Sequence, residues 1–386
     1  MEDVGKPIKV CFISPLGYGL YRPESGYAFG GAEVQFFLLS RQLSADDSYK
    51  VFVLATVDGE SGEEQHGNLT LIKRRGKGRL SICSQISRIH IGVLKKYVAA
   101  FVEMKRELRS IDADIYLHMG ASVEVGAYAI ICRLLGRKFV YVVASSVDLC
   151  EPNGKVAGPL KWLFPAGLRL ADTVVCQTQE QLGWLRSRYQ REGTLIRTGH
   201  VMPARPQKED GKSTVLWVGR IEAVKRPELF VALAEYLPDE QLVMVIMCDT
   251  SGLDSLKQLK QRAATVFNLT MYENVPWNRI DDFFCRAKLF VNTSSYEGFP
   301  NTFVQAAMHG TPILSLSLDP DGVLAQHGIG RSANGSFERL VALSKQLCNS
   351  GDVRHKMGLL GIQYAEEQHD LNVSISKLKE LICSRI

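Results

Sequence analysis

The residues whose types and spacing could do chemistry concentrate in one run, Tyr296-Glu-Gly-Phe-Pro-Asn-Thr-Phe-Val-Gln-Ala-Ala-Met-His-Gly-Thr311. The apolar stretch Lys288 to Asn292 before it reads as a strand, and Pro300 then opens a helix whose Phe303, Val304, Ala307 and Met308 share one face. Strand, turn and helix start make an anion site. Amide groups of Asn301, Thr302 and Phe303 would point out of the helix with the positive end of its dipole behind them. Glu297 cannot bind phosphate, but a carboxylate beside a phosphate cradle can accept hydrogen bonds from sugar hydroxyls. The combination reads as a site for a nucleotide sugar; alone, Glu297 could equally be an exposed turn residue. A second run, Trp217-Val-Gly-Arg-Ile-Glu-Ala-Val-Lys225, ends a strand at Gly219 and Arg220 and places Lys225 five residues later. Two fixed cations there suit a diphosphate, although by themselves they could be a solvated pair.

The elements that must position these residues alternate. Strands are expected at Ile8 to Ile13, Val51 to Thr56, Asn68 to Ile72, Ile115 to His118, Phe139 to Ala144 and Thr173 to Cys176. Helices fall between them at Ala32 to Leu43, Val123 to Leu135 and Gly158 to Leu170. The polar, proline-bearing stretch Met202 to Ser213 reads as a linker. The alternation then restarts, with strands at Val215 to Val218, Gln241 to Met247, Leu269 to Tyr272 and Pro312 to Leu316. Helices are expected at Arg226 to Tyr236, Gly252 to Ala264 and Trp277 to Arg286. Each half is a parallel, doubly wound sheet, and an α/β chain of two Rossmann-like domains facing across a cleft follows.

With those residues in view, Glu297 to Pro312 resembles the Glu-Gly-Phe-x(5)-Glu-Ala-x(3)-Gly-x-Pro signature of retaining family 4 glycosyltransferases of the GT-B fold. The resemblance spans nearly the whole chain, with its specific motifs mainly after residue 214. It implies that Arg220 and Lys225 neutralise a leaving nucleoside diphosphate, with Glu297 beside them. Gly219, Gly298, Phe299, Pro300, Asn301 and Thr302 would complete the donor site. One position departs: Gln305 stands where the family usually has the glutamate that holds the donor ribose. A glutamine keeps the carbonyl acceptor and loses the charge. Phe29-Gly-Gly-Ala-Glu33 matches the family's Gly-Gly-x-Glu loop, so Gly30 and Gly31 would let backbone approach the donor phosphates; a flexible loop capping a helix is the plainer alternative. His118, at a strand end, would touch the transferred sugar, unless it is a structural histidine. Asp148, at the next strand end, would face the acceptor. The resemblance further implies that the last helix crosses back onto the first domain. It gives domains of 1–203 and 204–365, with 366–386 returning to the first.

The function so implied is transfer of a sugar from a nucleoside-diphosphate sugar to a glycan or lipid-linked acceptor with retention of configuration, in polysaccharide assembly, with no cofactor and no metal. Two other classes stay open: a nucleotide-sugar epimerase of the same architecture, and a non-catalytic nucleotide-sugar binding subunit.

Composition narrows the setting. The chain has 386 residues, 46% hydrophobic and 23% charged, an ordinary balance with room for two domains. No basic and apolar leader opens it and no apolar run spans a membrane, so a cytoplasmic location is expected. The nine cysteines include no C-x-x-C pair and suit reduced thiols. Net charge is +5 yet local: Lys73 to Arg109 carries eleven Lys/Arg against two Glu. Apolar residues from Leu80 to Phe101 recur there at helical spacing, so a cationic amphipathic helix or helix pair is expected to dock on an anionic membrane from the inner face. A simply solvated helix face is the alternative. No recognition motif supports nucleic acid. Gly328 to Ala333 has dinucleotide spacing without a preceding strand, and Gly211-Lys-Ser213 lacks the upstream glycine of a phosphate loop. Of two Asp-x-Asp triplets, Asp112 to Asp114 sits at the wrong end of a strand, while Asp319 to Asp321 is a minor metal candidate.

Overall fold

The computed structural model describes residues 6–27, 29–76, 91–150, 156, 160–204, 211–249 and 252–385. The chain forms two compact units, one of residues Met1–Gly199 with Leu371–Ile386, the other of His200–Asp370. The divide therefore lies at Gly199 and His200, a few residues before the expected 203, and residues 366–369 finish a helix of the second unit.

Among the described residues, unit 1 is built on eight strands: β1 (Ile8–Ile13), β2 (Tyr49–Val57), β3 (Gly62–His66), β4 (Leu69–Arg75), β5 (Ile115–Met119), β6 (Lys138–Val142), β7 (Thr173–Cys176) and β8 (Thr194–Leu195). Their order is β3-β4-β2-β1-β5-β6-β7-β8, parallel throughout except β3 against β4. Alternate residues leave a strand on opposite faces, so β1 sends Val10 and Phe12 into one core and Cys11 and Ile13 into another. The first core includes Phe36 and Leu39 of helix Gly31–Ser44 and Ile375 and Leu378 of helix Leu371–Cys383. The second includes Met104 and Leu108 of helix Ile91–Ile111, Tyr128 of helix Glu124–Leu134 and Phe164 of helix Leu163–Leu170. The last two helices pack backbone to backbone: a Cβ on Gly126 would lie 2.2 Å from the Leu163 carbonyl oxygen.

Among the described residues, unit 2 has six parallel strands, β9 (Thr214–Arg220), β10 (Gln241–Met247), β11 (Leu269–Glu273), β12 (Ala287–Asn292), β13 (Ile313–Ser315) and β14 (Gly330–Ser332), in the order β11-β10-β9-β12-β13-β14. The strand order reverses between β9 and β12, so the loops leaving those two strands diverge and open a crevice at the carboxyl edge. In unit 1 the same reversal lies between β1 and β5.

Two expectations about the elements change. Lys73, Arg74 and Arg75, the first cations of the basic stretch, extend the strand expected at Asn68 to Ile72 and complete β4. The cationic helix is Ile91–Ile111, and Leu80, Ile82, Ile86 and Ile89 lie outside the described residues. The segment from Trp277 to Arg286 breaks into a short 3-10 turn, Trp277–Arg279, and a helix, Asp281–Arg286.

Candidate nucleotide-sugar site

In unit 2 the loops after β9 and β12 are stitched together by polar groups that no motif had singled out. Thr293 Oγ1 donates to the Lys225 carbonyl at 2.6 Å and accepts from Trp217 Nε1 at 2.9 Å. The Ser295 amide donates to the Val224 carbonyl at 2.9 Å. Arg226, held at φ 47°, reaches back to the Thr293 carbonyl at 2.8 Å and to Ser317 Oγ at 3.0 Å. Such a backbone is costly for a non-glycine residue, and the three-loop clamp made by its guanidinium offsets it.

The clamp sets Lys225 against Glu297. Lys225 Nζ forms an ion pair with Glu297 Oε1, the same oxygen that accepts from Ser294 Oγ at 2.8 Å. Both side chains are mostly sheltered, 22% and 17% exposed, so the pair is screened less than a surface one. Arg220, at the end of β9, is braced by Asp249 at 3.2 Å and Glu222 at 3.1 Å. Gly219 precedes it with the Trp217 ring beneath, where a Cβ would come within 2.8 Å.

Pro300 caps helix Asn301–Met308, as the spacing predicted. The cradle is smaller than expected, because the Phe303 amide closes a turn onto the Pro300 carbonyl at 2.9 Å instead of pointing outward. Asn301 Oδ1 lies 3.3 Å from Nε2 of His200, a buried histidine whose pKa burial pushes down to about 4. Gly298, Phe299 and Pro300 are buried, and Phe299 packs on His369 with ring centroids 4.5 Å apart. Thr302 is half-buried at the helix start. Gln305 is buried and donates its amide N–H to Asp281 Oδ1 at 3.2 Å. The structure thus brings Arg220, Lys225, Glu297, Asn301 and Thr302 into one loop cluster with Gln305 one turn further along the helix.

The remaining predicted residues belong to unit 1. Gly30 caps helix Gly31–Ser44 in an extended conformation, and its amide donates to Glu33 Oε2 at 2.9 Å. That amide is committed to the helix's own glutamate, so the Gly-Gly-x-Glu loop works first as a capping device. His118 lies in β5, 4% exposed, with neither ring nitrogen in a hydrogen bond of ordinary geometry although the Ile13 backbone is near. Burial pushes its pKa down to about 4, so the ring is neutral at pH 7. Asp148 is fully buried, and its Oδ2 accepts from the Ala144 amide at 3.0 Å, the Ser145 amide at 3.1 Å and Tyr141 Oη at 3.4 Å. A carboxylate so occupied braces its turn; it does not face an acceptor. Asp112 and Asp114 pair with Arg137, and Asp112 also with Lys9. Asp319 accepts from the Leu324 amide at 2.8 Å and caps a helix. Among the described residues no cluster of three His, Cys, Asp or Glu is arranged to hold a metal ion.

Residues missed by the sequence reading are Thr293, Ser294, Arg226, Asp249, Asp281 and His200. Only Arg226 carried a signal, standing between Lys225 and the helix-opening Pro227, where a turn residue is needed.

Residues 201–359 match the family model described as Glycosyl transferases group 1. The D-inositol 3-phosphate glycosyltransferase of Streptomyces scabiei (strain 87.22) is 21% identical over 350 residues, 81% of this chain and 76% of that one. Among solved structures, a sucrose-phosphate synthase from Thermosynechococcus elongatus superposes with a TM-score of 0.77 at 16% identity, covering 98% of each chain. An Anabaena protein solved with UDP and glucose superposes with a TM-score of 0.68 at 14% identity, covering 98% of this chain and 100% of its own. The fold is GT-B, two Rossmann-like units, and most of its second unit is similar to the group 1 glycosyl transferase model.

Proposed function

We propose that the protein is a retaining glycosyltransferase that moves a hexosyl group from a nucleoside-diphosphate sugar to a glycan or lipid-linked acceptor. The observation that carries this reading is the Lys225–Glu297 pair, clamped beside Arg220 and the start of helix Asn301–Met308 at the switch point of unit 2. Arg220 and Lys225 meet the diphosphate, while Glu297 accepts from sugar hydroxyls and fixes the ring. Gln305 offers its carbonyl oxygen to the ribose, its amide being held by Asp281. In unit 1, His118 offers a neutral ring nitrogen to a substrate hydroxyl.

The chemistry needs no protein nucleophile. The acceptor oxygen attacks the anomeric carbon on the face from which the diphosphate departs, and a β-phosphate oxygen takes the acceptor proton. Catalysis then rests on orientation and on cations that stabilise charge growing on the leaving group. Incubation with labelled UDP-, GDP- and ADP-hexoses, with and without acceptor glycans, tests the reading. Acceptor-dependent transfer with retained configuration, undiminished by chelator, is expected. A new sugar nucleotide formed without acceptor would establish an epimerase instead, and a rate restored only by magnesium or manganese would move attention to Asp319 and Asp321.

Helix Ile91–Ile111 supports peripheral attachment to anionic membrane. Its outer face carries exposed Lys95, Lys96, Arg106 and Arg109 around Val98 and Val102, which are 56% and 41% exposed. No described helix is long and apolar enough to cross a membrane. Co-sedimentation with phosphatidylserine vesicles should weaken with salt and with Lys95→Glu and Lys96→Glu, each charge near the surface contributing about 1 kcal/mol. Equal binding to neutral vesicles would remove the idea.

A further inference from the structure

Helix Asp281–Arg286 carries Asp281 and Cys285 beside His309, and the proposed reaction uses neither the cysteine nor the histidine. Cys285 Sγ lies 3.4 Å from His309 Nδ1, and the other ring nitrogen, Nε2, lies 3.6 Å from Asp281 Oδ1. The His309 side chain is 5% exposed and its ring stacks over Phe284 at 11° between planes, so it cannot easily turn away. Cys285 is half-buried.

The charge on His309 follows from its surroundings. Burial works against a proton, but Asp281 and Cys285 outweigh it and the pKa is pushed up to about 9. His200 acts on it electrostatically, and the Lys212 ammonium is held by the His309 carbonyl at 2.6 Å and the Gly310 carbonyl at 2.7 Å. An imidazolium in hydrogen-bond reach of a thiol stabilises the thiolate. Cys11, Cys132, Cys176 and Cys348 are buried with thiols pushed up by burial, and Cys383 is exposed with only the Tyr49 hydroxyl, 3.8 Å away.

We propose that Cys285 is a nucleophilic thiolate, paired with the His309 imidazolium and oriented through Asp281, and that it is a modification site for peroxide-class oxidants. The thiolate sulfur attacks one peroxide oxygen, a sulfur–oxygen bond forms and the oxygen–oxygen bond breaks. Sulfur loses two electrons to the departing hydroxide, which takes the His309 proton and leaves as water, giving Cys285 sulfenic acid and neutral histidine. The lost imidazolium is the partner of Asp281, the carboxylate that also holds Gln305, so oxidation alters the support of that amide.

The test is site-resolved labelling by mass spectrometry, with Cys383 as an internal reference for an ordinary exposed thiol. Iodoacetamide at pH 6.5 should label Cys285 at least about tenfold faster than Cys383, and hydrogen peroxide followed by dimedone should trap sulfenic acid at Cys285 first. His309→Gln should bring the Cys285 rate down to that of Cys383 or below without changing Cys383, and Asp281→Asn should lower it by a smaller factor. If His309→Gln does not fold, Cys11 and Cys132 will label as well, and the ratio of the Cys285 and Cys383 rates in the wild-type protein then decides. A ratio of about ten or more at pH 6.5 supports the proposal. A rate no faster than Cys383 at pH 6.5, or one unmoved by His309→Gln in a folded protein, overturns it.

Discussion

The carboxyl edges of the two sheets solve opposite electrostatic problems. In unit 2, Arg220, Lys225 and Glu297 are partly exposed and each meets an opposite charge. In unit 1, Arg74 of β4 is 4% exposed with Glu107 at 3.1 Å and Thr56 Oγ1 at 3.4 Å, and its Nε has no partner. Near it, Tyr128 Oη and both nitrogens of His118 are also buried without a hydrogen bond of ordinary geometry. The His118 and Tyr128 rings lie 5.3 Å apart. A partly exposed charge pair can be traded for a ligand's charge at little cost to the fold, whereas a buried one holds the fold and resists exchange. The charges of unit 2 therefore suit exchange for an ionic ligand, as proposed, and the polar groups of unit 1 are built first to hold its own core.

The largest effect that could break this contrast is on stability. Arg74→Met leaves Glu107, whose side chain is 15% exposed, without its cation. Loss of one partner of a buried pair costs about 3–5 kcal/mol, and Glu107→Gln in the same chain should recover part of it. Urea unfolding measures both; a cost below about 1 kcal/mol for Arg74→Met would erase the distinction between the units.

Arg220→Ala should do the reverse. Its side chain is 27% exposed and faces two acids that solvent also reaches, so stability should change by less than about 1 kcal/mol. Turnover should fall by about 2–4 kcal/mol in activation free energy, more than nucleotide binding weakens, because leaving-group charge grows toward the transition state. Comparing kcat with the dissociation constant of the nucleoside diphosphate checks this. Equal losses in both would assign Arg220 to ground-state binding alone.

Acid should sharpen the comparison next. Folding depresses the His118 pKa from about 6.5 to about 4, so the unfolded chain takes up a proton that the folded chain refuses. Stability is present above about pH 6.5 and is lost progressively as pH falls, by about 2 kcal/mol at pH 5. His200 adds a loss of the same sign in unit 2. His309 acts in the opposite sense: its raised pKa contributes stability below about pH 6.5 that is lost as pH rises through about 9. His118→Phe should reduce the acid slope of unfolding without touching the alkaline one; an unchanged slope would mean that the ring is already solvated.

What was legible in the sequence follows the same division. The two sheets were readable because parallel strands buried on both faces are short apolar runs between helical patterns, and the unit 2 site because its charges stand at fixed offsets from strand ends. The clamp was not readable, since Thr293, Ser294 and Ser295 look like ordinary turn residues until Val224 and Lys225 are set against them. The unit 1 cluster was hidden for another reason. Thr56, Arg74, Glu107, His118 and Tyr128 come from separate elements with no shared spacing, so Arg74 read as one more cation of a basic stretch. Asp148 misled because a strand-end acid looks alike whether it faces a ligand or braces a turn; three donors pointing at Oδ2 decide it.

The smallest effect concerns Gln305, where the sequence departs from the resembling family. The change Gln305→Glu restores the family residue and, on hydrogen bonding alone, should alter donor affinity by less than about 1.5 kcal/mol. The neighbourhood adds a second consequence. Gln305 Nε2 donates to Asp281 Oδ1 at 3.2 Å, and a glutamate there turns this hydrogen bond into a repulsion between carboxylates. His309 shares its charge with Asp281 and softens that repulsion, so a stability loss of about 1 kcal/mol at pH 7 is expected, as for an unfavourable local charge pair. Because the repulsion raises a carboxylate pKa in the folded state, the loss should be full at neutral pH and fade as pH falls toward about 4. Asp281→Asn in the Gln305→Glu chain should remove it. Unfolding curves at pH 7 and pH 4.5 measure the fading, and nucleotide titration measures the affinity. A variant that loses nucleotide binding entirely while remaining folded would show that the donor site is organised around the amide and its Asp281 partner, not around an acceptor that either residue could supply.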